Sequence, residues 1–222
     1  MLICVFGKRG SGKTTIIKGS LEELPGPVVV IDVLGNFDSD EYIQTDDLGD
    51  CVDYVTDYAR DPKGKIKVFV LKTPDPDLAT EYMSSILWEL HGGTLVLDEV
   101  DSITYQKGSC FDQLIRYGRN RNVNIITGCR RPAELSRNIT AGANKIYVFQ
   151  TQEPRDIDYF KSTVLGEKAK NLNILSQYSG ILVDYDRNEF CQYKIDQSGK
   201  LFILNGEPFH KIETEEKQTD NS

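Results

Sequence analysis

The chain has 222 residues, of which 39% are hydrophobic and 27% charged, which suits one large globular domain or one domain with an appended piece. No apolar run approaches the ~20 residues of a membrane helix, and Met1 to Phe6 run into a glycine loop without the basic flank or cleavage site of a signal peptide. A net charge of −8 argues against a molecule coated in basic surface, and five scattered cysteines without a CxxC pair fit neither a disulfide scaffold nor a zinc site. Reduced thiols in a reducing compartment are expected.

Leu2 to Phe6 is a continuous apolar run, the pattern of a strand covered on both faces. A loop from Gly7 to Gly12 leads into an expected helix, Lys13 to Leu24, which Pro25-Gly26-Pro27 terminates. Val28 to Val33 reads as a second buried strand, followed by acidic, loop-rich sequence and a helix from Asp50 to Arg60. Strands are expected at Lys65 to Leu71, Thr94 to Leu97, Val123 to Thr127 and Ile146 to Gln150. Helices are expected at Leu78 to Leu90, Cys110 to Tyr117 and Pro154 to Leu165. This alternation predicts an α/β fold, a mostly parallel sheet with helices on both faces joined by right-handed crossovers.

The pattern changes from Ser179 onward. Ile181 to Asp186, Glu189 to Ile195 and Lys200 to Leu204 suggest a hairpin or small antiparallel addition. Residues 1–178 are therefore read as the core, 179–211 as a C-terminal β-hairpin extension, and 212–222 as a disordered acidic tail.

Two motifs carry chemistry. Gly7, Lys8, Arg9, Gly10, Ser11, Gly12, Lys13 and Thr14 match G-x-x-x-x-G-K-[ST] between a strand and a helix, with Thr15 next in the helix. Glycines let backbone N–H groups approach phosphate oxygens, and the helix N-terminus adds partial positive charge. ATP is the expected ligand, with Lys13 on the β/γ-phosphates and the Thr14 hydroxyl on Mg²⁺. The second motif is Thr94 to Glu99, in which an apolar strand delivers Asp98 to Mg²⁺ and the adjacent Glu99 to an attacking water. That Asp-Glu pair favours ATP hydrolysis over phosphoryl transfer to a small acceptor. Asp32 and Asp101 are candidate supporting carboxylates.

Charge is unevenly spread. Between residues 113 and 150 stand Arg116, Arg119, Arg121, Arg130, Arg131, Arg137 and Lys145 against the single acid Glu134, a segment suited to an anionic partner.

The sequence FDQLIRYGRN from Phe111 to Asn120, followed by VNIITGCRRPAEL from Val123 to Leu135, resembles the segment after Walker B in FtsK/HerA-type translocases and viral genome-packaging ATPases. The Lys145 to Phe149 strand and the helix start at Gln152 to Asp156 extend the likeness over about residues 1–185. Its anchors are the Gly7–Thr14 loop, Asp98-Glu99, Gly118-Arg119 and Arg131-Pro132, and the small size is most like the packaging ATPases of tailless or small viruses.

The resemblance implies a RecA/ASCE-like P-loop NTPase fold and an ATP-driven motor on double-stranded DNA. It also implies a homo-oligomeric ring, hexamer or pentamer, with a capsid or portal protein as partner, in the host cytoplasm or on the virion. An arginine of one subunit would complete its neighbour's site; Arg119 is the first candidate and Arg116 the second. Arg130 occupies the place where such proteins carry a polar glutamine, so it is a candidate contact to the γ-phosphate or to a neighbour. Lys107, and less so Lys8 or Arg9, are candidate contacts to DNA in a pore. A kinase of small molecules, and a regulatory or assembly ATPase that does not move DNA, are the alternative readings.

Overall fold

The structure, a computed structural model, describes residues 1–63, 66–196 and 200–208. Strand β1 (Leu2–Phe6) lies at the centre of the sheet, parallel to its neighbours on both sides. Its side chains alternate between two cores. Leu2, Cys4 and Phe6 face one apolar cluster, and Val5 faces the other. A strand buried on both faces needs apolar residues at every position, which is why the sequence shows a run rather than an alternation.

The other strands are β2 (Val28–Asp32), β3 (Ile43–Thr45), β4 (Val68–Lys72), β5 (Gly93–Leu97), β6 (Val123–Cys129), β7 (Lys145–Phe149), β8 (Ser179–Asp184), β9 (Glu189–Ile195) and β10 (Leu201–Pro208). Among the described residues they form one sheet in the order β10-β9-β8-β7-β1-β6-β5-β2-β4-β3. The seven strands from β7 to β3 run parallel, and β8, β9 and β10 continue the sheet antiparallel.

Helix α1 (Lys13–Ser20) covers one face through the buried Ile17. The opposite face receives α2 (Leu48–Arg60), α3 (Pro76–Leu90), α4 (Cys110–Tyr117), α5 (Arg137–Ala141) and α6 (Pro154–Thr163), through Val55, Met83, Leu87, Leu114, Ile139 and Phe160 among others. Asp47, Asp75 and Ser109 cap α2, α3 and α4 by accepting hydrogen bonds from Asp50 N, Leu78 N and Asp112 N. This is the P-loop NTPase fold.

Several boundaries differ from the sequence reading. Helix α1 ends at Ser20 because the chain tightens into a 3-10 turn, Leu21–Glu23, which turns Leu21 and Leu24 into the core. β3 lies inside the stretch read as acidic loop, and its three half-buried residues pair only with β4 at the sheet edge. The five-residue α5 is too short to show a period. The extension expected at 179–211 begins with β8, which hydrogen-bonds directly onto β7, and β9 and β10 follow it antiparallel. The acidic tail expected at 212–222 lies outside the described residues. No described helix is long and apolar enough to cross a membrane.

Candidate active site

The carboxyl ends of β1, β5 and β6 meet at one edge, where β1 has neighbours reached by crossovers in both directions. Phe6 leads into the Gly7–Gly12 loop, Leu97 into Asp98 and Glu99, and Cys129 into Arg130. The loop is tied to β6 at its base, where Gly7 N donates to the Cys129 carbonyl at 3.1 Å.

Two glycines make the loop's turn possible. Gly10 has φ 75° and Gly12 φ 106°, in the left-handed region that side chains disfavour. A Cβ on Gly12 would also stand 2.3 Å from Ile195 Cδ1, so the antiparallel strands pack against the phosphate loop. Gly12 starts α1 without a side-chain cap, which leaves the helix's first N–H groups available to an anion. Lys8, Arg9 and Gly10 are exposed, whereas Ser11 and Lys13 are buried. Thr15 is half-buried in the first turn of α1. Lys13 Nζ donates to the Lys8 carbonyl at 3.4 Å, which bends it across the loop. Burial lowers the Lys13 pKa, and the nearby Glu99 and Asp98 carboxylates partly oppose this.

Thr14 and Asp98 meet at the floor of the site. Thr14 Oγ1 donates to Asp98 Oδ2 at 2.8 Å, and Asn36 Nδ2 donates to the same oxygen at 3.2 Å. Asp98 is buried, and its Oδ1 has no hydrogen-bond partner. Burial raises the Asp98 pKa against the opposing pull of Thr14, Asn36 and Lys13. A buried carboxylate oxygen without a donor, beside a hydroxyl, fits a hard cation. Among the described residues no three His, Cys, Asp or Glu side chains cluster around a metal position. One carboxylate, one hydroxyl and phosphate oxygens make the donor set that suits Mg²⁺ rather than zinc.

Asn36 was not singled out by sequence reasoning. It is delivered by Asp32, whose carboxylate accepts from Leu34 N at 3.3 Å, Asn36 N at 3.0 Å and Phe37 N at 2.8 Å. Asp32 thus builds the turn that brings Asn36 to Asp98. The available signal was an aspartate closing a strand before Leu34-Gly35-Asn36, the chemistry of a side-chain-capped turn.

Glu99 is gripped by Arg130. Arg130 Nε and Nη2 both donate to Glu99 Oε1, at 3.0 and 2.8 Å. Burial raises the Glu99 pKa, and the Arg130 guanidinium opposes the rise. The Glu99 carbonyl accepts from Ser102 N at 2.9 Å and Ser102 Oγ at 2.6 Å, which fixes its backbone in a 3-10 turn. Asp101 Oδ1, in the same turn, is buried without a partner.

The other two candidate arginines lie elsewhere. Arg116 and Arg119 line a cavity of about 440 Å³ together with Met1, Leu2, Val123 and Asn144, residues that precede or begin β1, β6 and β7. They therefore sit at the amino end of the parallel strands, opposite the phosphate loop of their own chain. Arg116 Nε donates to Asp112 Oδ1 at 2.7 Å. Asp112 also accepts from the Tyr105 hydroxyl and, at 2.8 Å, from Gly108 N. It clasps the loop that presents the exposed Lys107. All five cysteines are free thiols.

No protein-family model matches the chain, and no curated protein matches it by sequence. Solved structures do. The genome-packaging NTPase B204 of Sulfolobus turreted icosahedral virus 2, in complex with AMPPCP, superposes with a TM-score of 0.67 at 17% identity over 94% of this chain and 98% of that one. B204 described as the DNA-packaging ATPase of Sulfolobus turreted icosahedral virus gives 0.63 at 18% identity, with the same coverage of both chains. The pCW3 conjugation coupling protein TcpA with ATPγS gives 0.52 at 15% identity, over 90% of this chain and 59% of that one. At these identities the likeness establishes the fold.

Proposed function

We propose that this protein is an ATP-hydrolysing motor that translocates double-stranded DNA, packaging a viral genome into a capsid as a homo-oligomeric ring. The observation that carries the reading is the convergence of the phosphate loop, Thr14, Asp98 and Glu99 at one sheet edge while Arg116 and Arg119 lie at the other. Such a chain holds nucleotide and water by itself, and a second copy supplies the missing cation.

Backbone N–H groups of Gly7–Thr14 receive the phosphates, and Lys13 neutralises charge on the β/γ oxygens. Thr14 and Asp98 would hold Mg²⁺, which supplies Lewis-acid stabilisation of phosphate charge. Glu99 orients the attacking water and accepts its proton. Arg119 of a neighbouring copy, with Arg116 as the second candidate, stabilises charge on the transferring phosphoryl oxygens. DNA contacts fall on the backbone, because a motor must grip any sequence, and Lys107, which is exposed, is the candidate for one. B204's described role in packaging supports the substrate, and with it a place of work in the host cytoplasm or at a virion.

The test is steady-state ATP hydrolysis with and without linear double-stranded DNA, across protein concentrations. The expected result is stimulation by DNA and a rate that rises faster than linearly with protein. A rate blind to DNA at every concentration would favour a regulatory or assembly ATPase. Turnover that depends on a small-molecule acceptor would favour a kinase.

A further inference from the structure

We propose that Arg130 is the positioning residue of Glu99: its guanidinium grips one carboxylate oxygen and aims the other at the attacking water. The inference rests on the reading of Glu99 as the water-orienting base. Both donors of the fork, Nε at 3.0 Å and Nη2 at 2.8 Å, end on Oε1, so Oε2 is left to receive a proton. Two donors from one planar group fix an oxygen in direction as well as distance, which a lysine's single ammonium does not.

The grip is anchored on the phosphate loop. Arg130 directly follows Cys129, whose carbonyl accepts from Gly7 N at 3.1 Å. The other end of Glu99 is held by Ser102, through two donors to its carbonyl. Glu99 is thus fixed at backbone and carboxylate, in register with the loop that receives the terminal phosphate. Its side chain is 12% exposed and that of Arg130 35%, so the arginine covers the carboxylate from the open side.

The experiment measures steady-state kcat and KM, single-turnover rates where hydrolysis is slow, and nucleotide affinity, for the full chain and for Glu99→Gln, Arg130→Gln, Arg130→Lys and the Glu99→Gln/Arg130→Gln double variant. Arg130→Gln is expected to lower kcat about 10- to 100-fold with nucleotide affinity retained, the cost of a misplaced catalytic group. Retained affinity also shows that the variant folds. Arg130→Lys is expected to recover part of the rate. The double variant is expected to be no slower than Glu99→Gln, because Arg130 acts through Glu99.

An unchanged or raised kcat in Arg130→Gln would overturn the proposal, as would a loss of nucleotide affinity in place of rate. Losses that multiply in the double variant would place Arg130 on the phosphate and overturn it too. Normal hydrolysis by Glu99→Gln would instead defeat the underlying reading of Glu99, an outcome visible without the arginine variants.

Discussion

Gly128 lies against Asp98 so closely that a Cβ there would stand 2.4 Å from the Asp98 carbonyl oxygen and 2.9 Å from Oδ1. Only a residue without a side chain lets β6 pass this near the carboxylate proposed to hold Mg²⁺. Gly128→Ala must therefore displace Asp98 or the strand, at about 1–3 kcal/mol of overpacking. The expected result is a lower denaturation midpoint and a loss of nucleotide affinity, relative to the parent, that is larger with Mg²⁺ than without it. A variant as stable as the parent, with the same Mg²⁺ response, would show that the close approach constrains nothing.

Lys13 and Glu99 are expected to fail differently. Lys13→Ala removes a charge beside the phosphates and should weaken nucleotide binding, read by titration with a fluorescent analogue. Glu99→Gln should keep nucleotide bound and slow hydrolysis by about 10²–10⁴-fold, the range for loss of a positioned base. If both variants lose binding equally, the division of labour is wrong.

Arg119 lies at the sheet end remote from its own phosphate loop, so only a neighbour that retains Arg119 should repair its loss. Arg119→Ala is expected to abolish hydrolysis in the assembled protein while nucleotide affinity stays near normal. Mixing Arg119→Ala with Glu99→Gln should restore part of the rate, because some interfaces then combine an intact Glu99 with an intact Arg119. Normal hydrolysis by assembled Arg119→Ala would remove it as the finger and leave Arg116 as the candidate.

Asp112 ties acid stability to the Lys107 loop. Burial pushes its carboxyl up, but hydrogen bonds from Tyr105, Arg116 and Gly108 outweigh burial and hold the pKa down at about 2. A depressed folded-state pKa contributes stability that is present above the unfolded value of roughly 3.9 and is lost as pH falls toward the folded value. Asp112→Asn should thus be less stable than the parent at neutral pH, with the gap narrowing between about pH 4 and pH 2. Paired thermal melts across that range measure it, and a gap independent of pH would contradict the assignment.

Much of the fold was legible in the chain because its strongest signals are local. Continuous apolar runs marked β1, β2 and β5 as doubly buried strands, and Pro25 to Pro27 bounded the first helical segment. Edges were less legible. β3 has three residues and a single partner strand, so neither its composition nor its period separates it from the acidic loop around it. The phosphate loop and Asp98-Glu99 were readable because glycine spacing and a strand-end carboxylate are written in consecutive residues. Asn36 was not, since its role depends on a turn that Asp32 folds through three backbone amides.

Sequence alone therefore determined the alternating α/β architecture and the residues of the phosphate loop, because both follow from neighbours along the chain. Tertiary structure decided which of three arginines meets Glu99. Arg116, Arg119 and Arg130 lie within one basic segment, but β6 runs between Arg119 and Arg130 and carries them to opposite edges of the sheet. A strand rises about 3.3 Å per residue, so seven residues separate two side chains by more than any guanidinium can reach. That distance leaves Arg130 to its own chain's glutamate and keeps Arg119 away from its own chain's phosphate loop.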